Sequence, residues 1–333
     1  MQFNFSFIIP VYNRPQEIKE LLESFTQLEY HNDYEIVIIE DGSNLSSKEI
    51  CRTFSSQLNI SYYFKKNTGP GASRNYGMLK AKGNYFIILD SDCILPAHYL
   101  TTVISFLEKK YYASFGGADT AHSSFSALQK SINYVMTSFL TTGGIRGSEK
   151  SIANFEPRSF NMGISQDAFI ATRGFAKIHP GEDPDLSIRL LKLGFKTTFI
   201  SNAFVYHKRR TSWSKFYLQV KKFGMVRPIL NSWHPSTSKI TYWFPTFFIV
   251  FTIISILLSG FFNLLFAMPL ILYLSLIFTD SSVKNKNIYI GLLSVFALFI
   301  QFFGYGSAFF KSTVYIRILK RDPEKQFPQL FFK

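Results

Sequence analysis

From Trp243 to Phe278 the chain carries no charged side chain. About 20 apolar residues cross a bilayer as a helix, and soluble cores rarely need an uncharged run nearly twice that long. The run predicts two closely spaced membrane helices, about 243–259 and 263–279, turning near Gly260 and Asn263. A second uncharged run, Ile288 to Phe310, predicts a third helix at about 288–310. The preceding residues mix charged, polar and apolar side chains in a globular way. The expected organisation is a globular domain over 1–230 and a membrane region over 231–333 that ends in a basic tail.

The formal net charge is +14, which by itself admits a nucleic-acid partner. The cations are clustered, however. Lys208, Arg209, Arg210, Lys215, Lys221, Lys222 and Arg227 precede the first apolar run, interleaved with Trp213, Phe216, Tyr217 and Phe223. Lys311, Arg317, Lys320, Arg321 and Lys325 follow the last one. Juxtamembrane cations among aromatics suit an anionic cytoplasmic lipid surface, so a membrane is the expected partner and nucleic acid is not. Both groups favour the cytoplasm, and three crossings forbid that. Either one apolar segment is re-entrant or interfacial, or one basic group overrides the other. Phe3 to Val11 is too short and lacks the basic flank of a signal peptide. With only Cys51 and Cys93, no disulfide framework is expected, and the globular domain is placed on the cytoplasmic side of the inner membrane.

Within the globular part, strand and helix patterns alternate. Strands are predicted at 5–11, 34–39, 60–64 and 84–89, with helices at 15–28, 46–58 and 71–80. Pro15 suits a helix first turn. The alternation argues for a parallel sheet covered on both faces, whose ligands bind beyond the carboxyl ends of the strands. Pro10 to Arg14, Glu40 to Ser43 and Asp90 to Asp92 all fall at those ends. In the last of these, Phe86 to Leu89 run into Asp90-Ser91-Asp92. Residues i and i+2 of an extended chain point the same way, so the two carboxylates can face one divalent cation, Mg²⁺ or Mn²⁺. The plainer alternative is a strand followed by a turn.

Five segments taken in order resemble family-2 glycosyltransferases: FIIPVYNRP at 7–15, IEDGS at 39–43, NTGPGASRN at 67–75, DSD at 90–92 and GEDPDL at 181–186. The resemblance covers roughly residues 4–225. It implies a GT-A-type nucleotide-binding α/β sheet, mostly parallel and flanked by helices, with the C-terminal transmembrane helices following it. It also implies inverting transfer of a sugar from a nucleotide diphosphate donor, for which a UDP-sugar is favoured.

The resemblance further implies residue roles. Pro10, Tyr12, Asn13 and Arg14 would line the nucleotide, and the Asp41 carboxylate would accept hydrogen bonds from its base or ribose. Glu40 stands where many relatives have Asp. Gly71 and Arg74, in a loop that opens a helix, would meet the phosphates. Asp90 and Asp92 would hold the pyrophosphate through the metal, with His207 able to complete the metal shell. Asp183, beside Glu182, would be the base that takes the acceptor proton. A competing reading makes Asp183 an N-cap with Pro184 at the first helical position. Asn161, Met162 and Gly163 would belong to a loop cradling the donor sugar and acceptor.

Gln219 to Phe223 lies where processive synthases carry Gln-x-x-Arg-Trp. Lys222 and Phe223 replace the last two residues, losing a planar fork and a donor, so a basic amphipathic segment on the membrane is preferred there. The expectation is transfer of one sugar to a membrane-associated, polyprenyl-linked saccharide in surface polysaccharide synthesis. The alternatives are a polyprenyl-phosphate sugar synthase, a processive polysaccharide synthase, and a non-catalytic membrane scaffold with a degenerate transferase domain.

Overall fold

The computed structural model describes residues 3–30, 32–120, 125–143, 155–207 and 210–332. Lys208 and Arg209 of the first basic cluster lie outside them. The chain forms two compact units: Met1–His122 with Glu149–Lys208 and Phe331–Lys333, and Ser123–Ser148 with Arg209–Leu330.

The first unit begins with β1 (Phe5–Val11), α1 (Pro15–Phe25), β2 (Glu35–Asp41), α2 (Lys48–Phe54), β3 (Ile60–Lys65), α3 (Pro70–Lys80), β4 (Tyr85–Leu89), β5 (Cys93–Ile94), α4 (Tyr99–Lys109) and β6 (Ser114–Thr120). The second unit supplies α5 (Ala127–Thr137) and α6 (Phe139–Thr142). The first then continues with β7 (Asn161–Ser165), α7 (Gln166–Thr172), α8 (Glu182–Lys192) and β8 (Thr197–His207). All eight strands join one sheet in the order β3-β2-β1-β4-β7-β6-β8-β5.

Alternation along β1 explains its near-continuous apolar sequence. Phe7 and Ile9 enter the core under α1 and α4, with Ile18, Leu22, Phe25 and Leu100, while Ile8 enters the opposite core with Met78, Phe169 and Leu186. A strand covered on both faces needs apolar residues at every position. In α1, Ile18, Leu21, Leu22 and Phe25 are buried, the one-faced pattern of a helix on a sheet. Fully burying each such side chain contributes about 1.5–3 kcal/mol.

The sheet is mostly parallel, as the resemblance implied, with antiparallel pairings toward one edge. β3, β2, β1 and β4 are parallel, but β7 runs antiparallel between β4 and β6. The stretch expected to be a loop at 161–163 is therefore a central, fully buried strand. Its Asn and Gly lower strand propensity, and pairing on both sides supplies what propensity does not. The register sets Asn161 opposite Leu89, at the end of β4 where Asp90 follows.

The second unit continues with α9 (Trp213–Trp233), α10 (Phe244–Phe261), α11 (Met268–Asn285), α12 (Ile288–Thr313) and α13 (Pro323–Gln326). Helix α9 belongs to this unit and begins before position 230. Among the described residues, three helical stretches are long and apolar enough to cross a membrane: Ile240–Phe261, Leu264–Asn285 and Ile288–Ile318. Only 17% of the most apolar window in each of the first two is buried, so most of that surface faces outward as lipid-facing helices do. Helix α10 ends at Phe261, and Asn263 Oδ1 accepts from the Leu265 N–H at 2.8 Å. Phe302 of α12 packs with Phe216 and Val220 of α9 and Phe248 of α10. A Cβ on Gly224 would lie 2.3 Å from the Tyr305 carbonyl oxygen, and one on Gly306 would lie 2.7 Å from Pro245. Small residues at such crossings let apolar helices approach closely.

Candidate active site

Strand β4 delivers Asp90, Ser91 and Asp92 at its carboxyl end. The chain then forms β5, which pairs with β8 so that Cys93 lies opposite His207. That pairing carries the His207 ring to the carboxylates. Its Nε2 lies 3.2 Å from Asp92 Oδ1 and 3.9 Å from Asp90 Oδ2, and its Nδ1 lies 3.8 Å from Asp119 Oδ2. Phe160 stacks on the ring at 5.1 Å. Arg14 pairs with the other Asp92 oxygen. Burial would lower the His207 pKa, but Asp92 and Asp119 outweigh it and raise it to about 9. Burial would likewise raise that of Asp92, and His207 with Arg14 pulls it far below the usual carboxylate range.

These residues fit a hard divalent ion. Asp92 Oδ1 is buried with no well-aligned hydrogen bond among the described residues; His207 Nε2 lies 3.2 Å from it, and Asp90 Oδ2 lies 3.9 Å from that same nitrogen. Oxygen donors with one imidazole suit Mn²⁺ or Mg²⁺, and an arriving ion must displace the imidazole proton. Cys93 lies in the same cluster, but its Sγ donates to the Phe160 carbonyl at 3.4 Å. Burial also raises its pKa well above the ordinary value, which keeps it a thiol rather than a soft thiolate ligand.

Arg74 on α3 does not reach outward as a phosphate-binding arginine would. It donates to Asp90 Oδ1 at 2.7 Å and to Glu182 Oε1 at 2.8 Å, with Phe175 under its guanidinium at 5.3 Å. Glu182 also meets His179 Nδ1 at 2.9 Å. Burial would raise the Glu182 pKa, but His179 and Arg74 bring it down to about 2. Gly71 sits where a Cβ would come within 2.9 Å of the Ala176 carbonyl oxygen. The start of α3 is thus pressed against the segment that leads into α8.

The neighbouring Asp183 stands apart from this brace. Helix α8 begins with Gly181 as its N-cap, at φ +119°, so Asp183 falls in the first turn and does not cap it. Its carboxylate lies 3.8 Å from Arg158 and its side chain is 19% exposed. Burial raises its pKa, with the nearby Glu182 charge adding to the rise and Arg158 opposing it. Two adjacent carboxylates are thereby set apart, one locked as an anion and one accessible and more basic.

The Asp41 carboxylate is already engaged. It accepts from Lys65, from the Thr68 N–H at 3.0 Å and from the Gly69 N–H at 2.9 Å. Lys65 also reaches Thr68 Oγ1 at 2.5 Å and Ser73 Oγ at 3.2 Å. Asn13 performs the matching task at β1: its N–H donates to Ser43, and its Oδ1 accepts from the N–H groups of Asn44 and Leu45. Glu40 is fully buried and accepts from the Ser47 N–H at 2.8 Å and the Tyr62 hydroxyl at 3.2 Å. Tyr12 is 50% exposed beside these loops, and Pro10 pairs with Ile39 in register.

Strand β7 turns its side chains inward. Asn161 accepts from the Tyr99 hydroxyl at 2.6 Å and donates to the Ala203 carbonyl at 2.8 Å. Met162 enters the apolar core. Gly163 is covered by the Phe115 ring. All three positions lie inside the fold. Lys65, Asp119, Arg158, Phe175 and His179 were not anticipated. Only His179 carried a sequence signal, lying three residues before Glu182.

Residues 6–170 match the family described as Glycosyl transferase family 2. An uncharacterized glycosyltransferase of Rickettsia felis is 33% identical over 130 residues, 39% of this chain and 20% of that protein. Poly(ribitol-phosphate) beta-N-acetylglucosaminyltransferase TarS of Staphylococcus aureus is 28% identical over 110 residues, 32% of this chain and 19% of its own. Its solved structure with UDP aligns at a TM-score of 0.51 and 16% identity, covering 94% of this chain and 91% of that one. The mannosyltransferase PcManGT from Pyrobaculum calidifontis, solved with GDP-Man and Mn²⁺, reaches a TM-score of 0.62 at 12% identity, covering 90% of this chain and 88% of that one. At such identities these structures show a shared fold alone. The matched sequences span about a fifth of the curated relatives' length, and the family match ends before Asp183.

Proposed function

The chain belongs to glycosyl transferase family 2 through residues 6–170, and from that premise we propose that it transfers one sugar, with inversion, from a nucleoside diphosphate sugar to an acceptor at a membrane surface. One observation carries this reading. Arg74 links the Asp90 end of the Asp90–Asp92–His207 cluster to Glu182, and the accessible carboxylate of Asp183 follows Glu182 directly. One guanidinium thus ties a carboxylate of that cluster to the residue that precedes Asp183, which supports a donor end and a base lying close together.

In the proposed reaction the acceptor hydroxyl oxygen attacks the anomeric carbon, its proton passes to Asp183, and the bond to the nucleoside diphosphate oxygen breaks. Burial favours Asp183 as base by making its carboxylate hold a proton more tightly. Asp90, Asp92 and His207 would hold Mn²⁺ or Mg²⁺, which would supply positive charge against the pyrophosphate and the departing diphosphate. Asp41 and Lys65 act by fixing the Thr68–Gly69 backbone, and Asn13 by joining the ends of β1 and β2. The half-exposed Tyr12 offers a ring face to the base.

The three apolar helices favour an acceptor that is itself confined to the membrane, a polyprenyl-linked saccharide. The basic residues that flank those helices favour the inner membrane with the transferase unit in the cytoplasm. TarS, by its name a beta-N-acetylglucosaminyltransferase of poly(ribitol-phosphate), supports a polymeric acceptor, which is consistent with a role in surface polysaccharide synthesis.

The test is titration of the detergent-solubilised protein with UDP and with GDP, with and without Mn²⁺, beside an Asp90→Asn/Asp92→Asn double variant. Metal-dependent binding that the double variant loses is expected, followed by sugar transfer or donor hydrolysis that Asp183→Asn abolishes. Binding of neither nucleotide overturns the reading in favour of a non-catalytic scaffold.

A further inference from the structure

The described chain ends against the donor loop. Phe331 forms an antiparallel bridge with Ile178, and the Phe332 N–H donates to the Lys177 carbonyl at 3.2 Å. The Phe332 ring then covers Gly69: a Cβ at Gly69 would be 2.3 Å from the ring's Cδ2. The same ring stands 6.0 Å from that of His179. One aromatic side chain therefore touches two segments that share no strand pairing. The first is the Gly69 N-cap of α3, whose N–H is fixed by Asp41. The second is the 177–179 approach to α8, where His179 holds Glu182 beside Asp183.

We infer that Phe331–Phe332 is a strap over the donor site and that Phe332 is a positioning residue, keeping the 67–71 loop and the 177–183 segment in register for a nucleoside diphosphate sugar. The inference rests on the function proposed above. Its physical basis is that loops around ligands are the least stable parts of a fold, and ordering them before the ligand arrives removes a cost from binding. Gly69 has φ +88° and no side chain, so its backbone is open to direct cover. Phe332 supplies that cover while its own backbone is tied to Lys177. Without the ring, the Gly69 face and the His179 ring lose a common neighbour, and each segment is left to its own hydrogen bonds. The strap touches no reacting atom. Its effect falls on donor affinity more than on turnover.

The experiment compares full-length wild type, Phe332→Ala and Phe332→Leu in detergent. It reads amide hydrogen exchange, affinity for UDP with Mn²⁺ (GDP with Mn²⁺ if wild type binds that instead), and donor KM against kcat. In Phe332→Ala, peptides over 67–74 and 175–183 exchange faster, nucleotide affinity falls about tenfold, and donor KM rises while kcat stays within about threefold. Phe332→Leu restores most of the loss. Unchanged exchange in β1, β2 and α10–α12 certifies the fold. The strap is overturned if the two segments exchange as in wild type, or if they loosen while nucleotide affinity holds. Wild type binding neither nucleotide overturns the functional reading instead, and the strap is then decided by exchange alone.

Discussion

Arg74 and Glu182, 108 positions apart in the sequence, form a buried ion pair at 2.8 Å, and both side chains are almost wholly out of solvent. The same guanidinium holds Asp90. Breaking such a pair from one side leaves a buried charge uncompensated, at a cost of about 3–5 kcal/mol. Arg74→Met should therefore lower the apparent unfolding temperature strongly. Adding Glu182→Gln should recover part of the loss, because the stranded carboxylate is then neutral. Equal losses in the single and double variants would refute the coupling. Arg74→Lys should also be poor, since one ammonium replaces a fork that spans two carboxylates. Folding lowers the Glu182 pKa to about 2 from 4.5, so this contribution is complete above about pH 4.5 and is lost as pH falls toward 2.

Asp183 shows the opposite sign. Its pKa is raised in the folded state, so the native protein binds this proton more tightly than the unfolded chain does. Ionised Asp183 therefore opposes folding, and stability from this group is gained as pH falls through the folded pKa. Asp183→Asn should unfold at an equal or higher temperature near neutral pH, with the difference shrinking in acid. Transfer should drop about 10²–10⁴-fold while nucleotide affinity is kept. The acid limb of kcat/KM in wild type should lie above the ordinary Asp value. Retained transfer in Asp183→Asn would remove it from the base role.

Much of the first unit was legible because its first half follows local rules. The strands at 5–11 and 60–65 and the helix begun by Pro15 obey periodicity and helix-start chemistry, and the polar residues gather at the strand ends as the topology requires. The reversal of β7 was not legible: Asn161-Met162-Gly163 has no strand signature, and its pairing depends on β4 and β6, far away in sequence. The same limit hid the partners of Arg74. Its position after a glycine-rich turn suggests an outward phosphate contact, and only the fold reveals that α8 brings Glu182 to it. The covering of Gly69 by Phe332 is longer-range still. Asp41 was recognised as important, but a carboxylate that accepts from backbone N–H groups looks the same in sequence as one that reads a nucleotide.

The cluster of Asp92, Cys93 and His207 makes a clean chemical contrast. Ion affinity, followed by the Mn²⁺ paramagnetic signal, should fall at least about tenfold in Asp92→Asn and His207→Ala; even the partners behind metal ligands cost 10–100-fold. Cys93→Ala should leave it near wild type, because the thiol stays protonated and bonded to Phe160. A large loss in Cys93→Ala would point to a thiolate ligand and a softer metal. A negligible loss in His207→Ala would confine the site to Asp90 and Asp92.

Asp41 and Lys65 separate two ways of binding the donor. If Asp41 acts by fixing Thr68 and Gly69, its partner Lys65 is needed, and removing either should loosen the loop. Each hydrogen bond to a charged group is worth about 1.5–3 kcal/mol, so Asp41→Asn and Lys65→Met should each weaken nucleotide binding about tenfold or more. Exchange over 67–74 should rise in both variants. Neither residue touches the Asp90–Asp92–His207 cluster among the contacts described, so Mn²⁺ affinity without nucleotide should hold. If Asp41 instead reads the base or ribose directly, Lys65 competes with the donor for its oxygens. Lys65→Met would then bind nucleotide as well as wild type or more tightly, while Asp41→Asn would still lose. The sign of the Lys65→Met effect therefore decides between a carboxylate that shapes the loop and one that contacts the donor.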